Sequence, residues 1–191
     1  SVFSRKPAFG YKVTAICMST IVVLSTLVWG HHMYTTGMSP LLGKSFMFLT
    51  LLISIPSSIF FFNWLGTMWR GSLHFDPPML YSMGVIWVFA LGGLTGLYNA
   101  TVTADIYLHD TMFVVGHFHY TMAASVLFGG FAAISFWFPK LFGRMLNDLS
   151  SKIHFWGTFI TLNLVFFNMM ALGYAGHHRR IYNPSEYEFL R

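Results

Sequence analysis

Val114-Val115-Gly116-His117-Phe118-His119-Tyr120 lies inside the apolar run from Thr111 to Pro139, and its two histidines decide how the rest of the chain is read. A helix turns about 100° per residue, so imidazoles two residues apart leave it about 200° apart. His117 and His119 therefore face opposite sides and cannot share one metal. They can serve two cofactors held on the two flanks of a single helix. Ionisable side chains within a membrane helix are costly and point to function. The competing structural reading is a pair of interhelical hydrogen bonds.

The apolar setting extends to the whole chain. Of 191 residues, 55% are hydrophobic and only 9% charged, where a soluble domain carries about 25% charged residues. With a mean hydropathy of +0.59, this excludes an ordinary soluble globule and indicates a polytopic membrane protein. The formal net charge of +5 does not indicate a nucleic-acid partner, because the basic residues are scattered through loops without forming a stripe. The single cysteine, Cys17, cannot form an internal disulfide, and no Cys-x-x-Cys metal site exists. The chain opens on Ser1, which reads as a processed, trimmed or incomplete start. The first apolar run is too long for a cleavable signal peptide.

Five runs are long enough to cross about 30 Å of hydrocarbon at 1.5 Å per residue. They are Val13 to Met33, Phe46 to Met68, Met79 to Tyr98, Thr111 to Phe138 and Ile153 to Leu172. Only helices or closed barrels satisfy backbone polar groups in lipid, so the expected fold is all-α: one membrane domain over residues 1–191, part of a larger bundle. The connecting segments carry turn formers: Gly37, Ser39 and Pro40, then Pro77-Pro78, then the polar stretch Asn99 to Asp110. Gly92, Gly93 and Gly96 permit close helix approach in the third span. Alternating the loops puts Arg5, Lys6, Lys12, Arg70, Lys140, Arg144 and Lys152 on one side. Lys44, Arg179, Arg180 and Arg191 fall on the other. The positive-inside rule then places the N-terminus inside and the C-terminus outside.

That topology brings distant residues to one depth. His31 and His32 end the first span on the outer side. His117 and His119 lie about two turns below the outer start of the fourth. His109, Asp110, Arg179 and Arg180 lie just above them. Imidazole nitrogen is a good ligand for copper, zinc and iron. His31 and His32, adjacent in sequence, diverge by about 100° on a regular helix and need a bend or a helix end to share a metal. Interfacial histidines that bind nothing are the alternative for this pair alone.

The stretches Trp29-Gly30-His31-His32-Met33-Tyr34, Gly92-Gly93-Leu94-Thr95-Gly96 and His109-Asp110-Thr111-Met112-Phe113-Val114-Val115-Gly116-His117-Phe118-His119-Tyr120 resemble, in order and spacing, subunit I of the heme-copper oxygen reductases, the cytochrome c oxidase family. Trp64-Leu65-Gly66-Thr67, Leu146-Asn147-Asp148, Lys152-Ile153-His154-Phe155 and Arg179-Arg180 extend the likeness from about Phe9 to the C-terminus. The resemblance implies that His31 and His32 are two of three ligands of an active-site copper. It implies that His117 is the axial ligand of the high-spin heme facing that copper, and His119 an axial ligand of the low-spin heme. It further implies magnesium at His109 and Asp110, propionate partners at Arg179 and Arg180, and an acidic group near the propionates at Asp105, for which an ordinary loop aspartate is the alternative. The implied cofactors are two hemes of the A type, copper and magnesium.

Two departures accompany the resemblance. The family's third copper histidine and second low-spin axial histidine lie on helices earlier than Val13, so the expectation is a split or fragmentary subunit I completed by a chain carrying the N-terminal helices. The family also places a lysine, marking a proton-uptake route, four residues before the tryptophan of the second span. Here that position is Phe60, which cannot carry a proton; Ser57, Ser58 and Asn63 could hold waters nearby.

The function implied is a respiratory terminal oxidase reducing O2 to water with electrons from cytochrome c or quinol, coupled to proton translocation. Its implied partners are other oxidase subunits, including a copper-bearing electron-entry subunit, and membrane lipid; no nucleic acid is expected. The membrane expected is the mitochondrial inner membrane, with a prokaryotic plasma membrane as the alternative. Two rival functions are a nitric oxide reductase of the same superfamily and a non-catalytic scaffold in a respiratory assembly.

Overall fold

A computed structural model describes residues 1–183; Arg191, counted above among the outer charges, lies outside the described residues. Helix α1 (Tyr11–Leu27) passes through a 3₁₀ turn (Trp29–Met33), and α2 (Pro40–Met68) and α3 (Pro77–Ala100) follow. A short α4 (Val102–Leu108) precedes α5 (Met112–Phe118), which continues through a π-helical turn (His119–Ala124) into α6 (Ser125–Phe142). Helix α7 (Asp148–Tyr174) closes the order. Among the described residues, five helical segments are long and apolar enough to cross a membrane, with α5, the π turn and α6 acting as one. The described residues contain no strand, only an isolated bridge between Thr111 and His178.

The helices outrun their apolar cores because of their caps. Ser39 Oγ accepts from Leu42 N at 3.3 Å, and Pro40 takes the first helical position. A proline there loses nothing, since its missing N–H would have had no helical partner. The expected breakers thus start α2 rather than delay it. Asn147 Oδ1 likewise accepts from Ser150 N at 2.9 Å, so α7 begins at Asp148, five residues before its apolar run. In the stretch expected as a loop, Asn99 and Ala100 still belong to α3, and α4 buries Asp105 and Leu108 three residues apart. Seven residues are too few for a helical period to stand out in sequence.

The tightest pairings are α3 with α6, α5 with α7, and α1 with α2. Tyr81 and Val88 of α3 meet Tyr120, Ala124 and Phe128 of the fourth span and Phe155, Phe166 and Met170 of α7 in one core. Between α1 and α2, Asn63 Nδ2 donates to Thr14 Oγ1 at 2.9 Å. Gly10, at φ +61, brings its backbone against the Asn63 amide, where a Cβ would lie 2.9 Å from it. Asn63 is therefore a clamp between two helices, which explains a buried amide on an otherwise apolar face. Large apolar side chains such as Val22, Val126 and Leu164 remain exposed, the surface a membrane protein turns toward lipid or further helices.

Candidate metal centre

His117 is held from the α3 side. Its Nδ1 lies 3.0 Å from Gly92 O and 3.0 Å from Thr95 Oγ1. The Thr95 hydroxyl donates its own proton to backbone carbonyls, Gly92 O at 2.9 Å among them. Both neighbours of Nδ1 are therefore acceptors, so Nδ1 carries the hydrogen and the neutral ring presents a bare lone pair at Nε2. A second hydrogen bond that fixes the tautomer and the ring plane is the usual support of a metal-bound histidine. Gly96, one turn along α3, leaves room for the ring: a Cβ there would stand 2.9 Å from His117 Cε1. Gly96→Ala is expected to tilt the imidazole while the bundle still assembles. The check is a shifted His117 imidazole resonance at an unchanged yield of folded protein.

His119 faces the other way. Its Nδ1 lies 2.8 Å from Val115 O and donates to it, leaving Nε2 bare, and its ring packs on Phe166 of α7 at 5.1 Å between centroids. The angle argued from a regular helix does not transfer unchanged, since His119 opens the π turn and a π turn advances less per residue. Opposition survives: one ring lies toward α3 and the other toward α7.

His31 and His32 sit on the 3₁₀ turn that ends the first span. Thr50 Oγ1 donates to Phe46 O at 2.6 Å, so it accepts from His31 Nδ1 at 3.1 Å. That leaves His31 Nε2 as an acceptor, to which His32 Nε2 donates at 2.9 Å. Two ligands about 2.0–2.1 Å from one metal and near a right angle apart are separated by about this distance. The irregular helix end thus brings the two ring nitrogens together, which a regular helix could not. Among the described residues no group of three or more His, Cys, Asp or Glu side chains is placed to hold a metal, so this edge supplies two imidazoles.

A cavity of about 80 Å³ gathers these residues with the outer polar groups: His31, His32 and His117 line it together with Asn99, Asp105, His109, Asp110 and Arg179. His109 Nδ1 lies 2.8 Å from Asp105 Oδ2. Asp105 is buried on α4, not a loop aspartate, and burial raises its carboxyl above the ordinary range against the lowering pull of the His109 hydrogen bond. Arg179 Nε and a terminal guanidinium nitrogen both reach Asp110 Oδ1, at 2.6 and 2.5 Å. Partial burial raises the Asp110 carboxyl, but the Arg179 hydrogen bond and charge, with His109 and Arg180, outweigh it and hold it below its usual value. Asp110 adopts φ +56, a left-handed conformation that aspartate tolerates better than most residues. It is pinned there by Arg179 N donating to Asp110 O and Met112 N to His177 O, each at 2.9 Å.

The structure does not bring every sequence-selected residue into this cavity. Arg180 is exposed and contributes charge, not contact, to Asp110. His119 stands on the far flank. Thr50, Thr95 and the Gly92 carbonyl were not singled out as orienting groups in the sequence, where hydroxyls on apolar helices carry no distinguishing signal. A second cavity, of about 480 Å³, runs between α2 and α3 with His31 and His117 lining it. Phe61, Phe62, Phe89, Leu94 and Leu97 form its apolar wall, and Thr50, Ser54, Ser57 and Ser58 line its α2 side.

These features define a class: a polytopic α-helical membrane protein that presents oriented imidazoles on both flanks of one span. The family model for cytochrome c and quinol oxidase polypeptide I matches residues 1–191. Cytochrome c oxidase subunit 1 of Corynebacterium diphtheriae is 46% identical over 179 residues, covering 94% of this chain and 31% of the relative. The alternative cytochrome c oxidase subunit 1 of Bradyrhizobium diazoefficiens is 44% identical over 190 residues, covering 100% and 32%. Cytochrome c oxidase subunit 1 of Cereibacter sphaeroides is 43% identical over 180 residues, covering 94% and 32%. The chain belongs to the cytochrome c and quinol oxidase polypeptide I family, and it spans about a third of the length of these curated relatives.

Proposed function

We propose that this chain is the part of a terminal-oxidase subunit I that holds one face of a heme–copper centre and one ligand of a second heme. The observation that carries the reading is the shared state of three imidazoles: His31, His117 and His119 each spend Nδ1–H on an acceptor and keep Nε2 unprotonated. His31 and His32 suit copper through converging nitrogens, and His117 lines the same cavity. His119, on the opposite flank, suits the low-spin heme. The apolar cleft between α2 and α3 suits the hydrophobic periphery of a porphyrin, and Arg179 and Arg180 are the basic groups assigned to its carboxylates. His109 Nε2 and Asp110 Oδ2, 3.9 Å apart, are the atoms left for magnesium, which would need further oxygen ligands.

When bound, the hemes and copper supply electron transfer and oxygen reduction. The chain's own residues orient and enclose. Thr50, Thr95 and the Gly92 carbonyl fix ring planes, Asp105 fixes His109, and the phenylalanine and leucine wall excludes water. Phe60 packs against Trp64 at 4.1 Å between ring centroids and moves no proton. Ser54, Ser57 and Ser58 are the hydroxyls left to hold waters on the cavity side of α2. The remaining copper and heme ligands come from subunit I sequence outside these residues, and electrons arrive through a partner subunit from cytochrome c or quinol. The basic loops support an inside N-terminus and outside C-terminus. The bacterial source of the relatives supports a prokaryotic plasma membrane over the mitochondrial membrane expected from sequence.

Phe60 favours one rival, a nitric oxide reductase with little pumping, while the names of the relatives favour the oxidase. Purified complex is expected to consume O2 with cytochrome c or quinol and to contain two hemes and copper. Nitric oxide consumption without O2 uptake would establish the rival, and a preparation free of heme and copper would remove both.

A further inference from the structure

Asn99 is the polar group of the metal cavity that the reading above leaves without a task. It stands on the last turn of α3, on the stripe Gly92, Gly96, Asn99 spaced four and three residues apart. The first two of these lie against His117. At 1.5 Å per residue, Asn99 is about 4.5 Å beyond Gly96 along the axis, toward the Asp105–His109 pair. Its Nδ2 and Oδ1 are both buried, and neither has a hydrogen-bond partner among the described residues. The neighbouring polar groups are already engaged: His31 with Thr50, Asp105 with His109, and Asp110 with Arg179. Buried amides are rarely left unpaired, and ordered water is their usual partner where protein offers none. The cavity has room: about 80 Å³ against the roughly 10–15 Å³ that one water requires, and Asn99 lies on the Asp105–His109 side, away from the part that a metal on His31 and His32 would fill.

We propose that Asn99 is a positioning residue for water, its amide holding an ordered water between the metal-side imidazoles and the Asp105–His109 pair. An amide offers donor and acceptor on two atoms of one rigid plane, so it can fix a water in position and orientation; a hydroxyl carries both on one rotating atom, and a carboxylate only accepts. The water itself depends only on the cavity. Its consequence, a first outward station for product water and protons, rests on the heme–copper reading.

The test uses the complete membrane complex with Asn99→Leu and Asn99→Asp. Cryo-electron microscopy at a resolution that shows waters is expected to find one within hydrogen-bond distance of the Asn99 amide, and to lose it in Asn99→Leu. Turnover in Asn99→Leu is expected to fall five- to twentyfold at unchanged heme and copper content. An infrared water O–H band that shifts in H2¹⁸O is expected to vanish with it. Asn99→Asp, which keeps the shape and an acceptor, is expected to restore the band and at least half of the turnover. A side chain from elsewhere in the complex bonded to the amide in place of water overturns the proposal. So does an Asn99→Leu variant that keeps the band and turns over within twofold of the wild type. A complex lacking heme or copper would remove the heme–copper reading, while the density beside residue 99 would still decide the water.

Discussion

On the proposed heme–copper reading, replacing His117 by alanine is expected to cost more than about 100-fold in oxygen turnover and to remove one of two hemes. The size follows from the supports of the ring. Losing a partner that merely orients a metal ligand typically costs about 10–100-fold, and here that partner is the Thr95 hydroxyl, 3.0 Å from His117 Nδ1. Thr95→Val is therefore expected to fall in that smaller range, because the Gly92 carbonyl still accepts from the same nitrogen. Losing the ligand itself must exceed it. The selectivity follows from the flanks: His119 stands on the α7 side with its own hydrogen bond to Val115 O, so the second heme should survive. A pyridine hemochrome count of one heme per complex, with low-spin bands retained, is the outcome that agrees. Two hemes and undiminished turnover in His117→Ala would show that this imidazole holds no iron.

That selectivity shows what could be read from the letters and what could not. The five spans were visible because a membrane-crossing helix needs length and apolarity, and both are local properties of sequence. The opposition of His117 and His119 was visible because helix geometry alone sets it, even with a π turn intervening. The meeting of His31 and His32 was visible only as a requirement for an irregular backbone; which irregularity served depended on Val28 leaving helical geometry, at φ −109 and ψ 5. Arg179 and Arg180 read as an equivalent pair, yet only Arg179 turns to Asp110. The difference lies in the backbone: Arg179 N bonds Asp110 O, and Arg180 follows at φ +65, carrying its side chain outward. The orienting hydroxyls and Asn99 were illegible for a related reason. A threonine or asparagine on an apolar helix has meaning only once its neighbour across the interface is known.

The second large effect belongs to a residue that touches no proposed ligand. Gly173→Ala is expected to prevent assembly of the proposed heme-loaded complex, because a Cβ at that position would run into Phe113 N and lie 2.6 Å from Met112 C. These are backbone atoms in the first turn of α5, so no side-chain rotamer can relieve the overlap, and one of the two helices must move. Overpacking a well-packed site usually costs about 1–3 kcal/mol, and a rigid clash of this depth should reach about 3 kcal/mol or more. The displacement would be felt where it matters, since α5 carries His117 and leads directly into His119, and since Met112 N is tied to His177 O beside Arg179. Gly157→Ala in the same helix is the matched control: nothing lies within 4 Å of its would-be Cβ. Alanine there should be neutral, or stabilising by up to about 1 kcal/mol through helix propensity. The measurement is the yield of detergent-solubilised complex with an intact Soret band and its thermal midpoint. Loss in Gly173→Ala beside wild-type behaviour in Gly157→Ala is the outcome that agrees. Equal, normal yields would mean that α5 and α7 stand further apart than described, and that the wall between the two proposed hemes is set by something else.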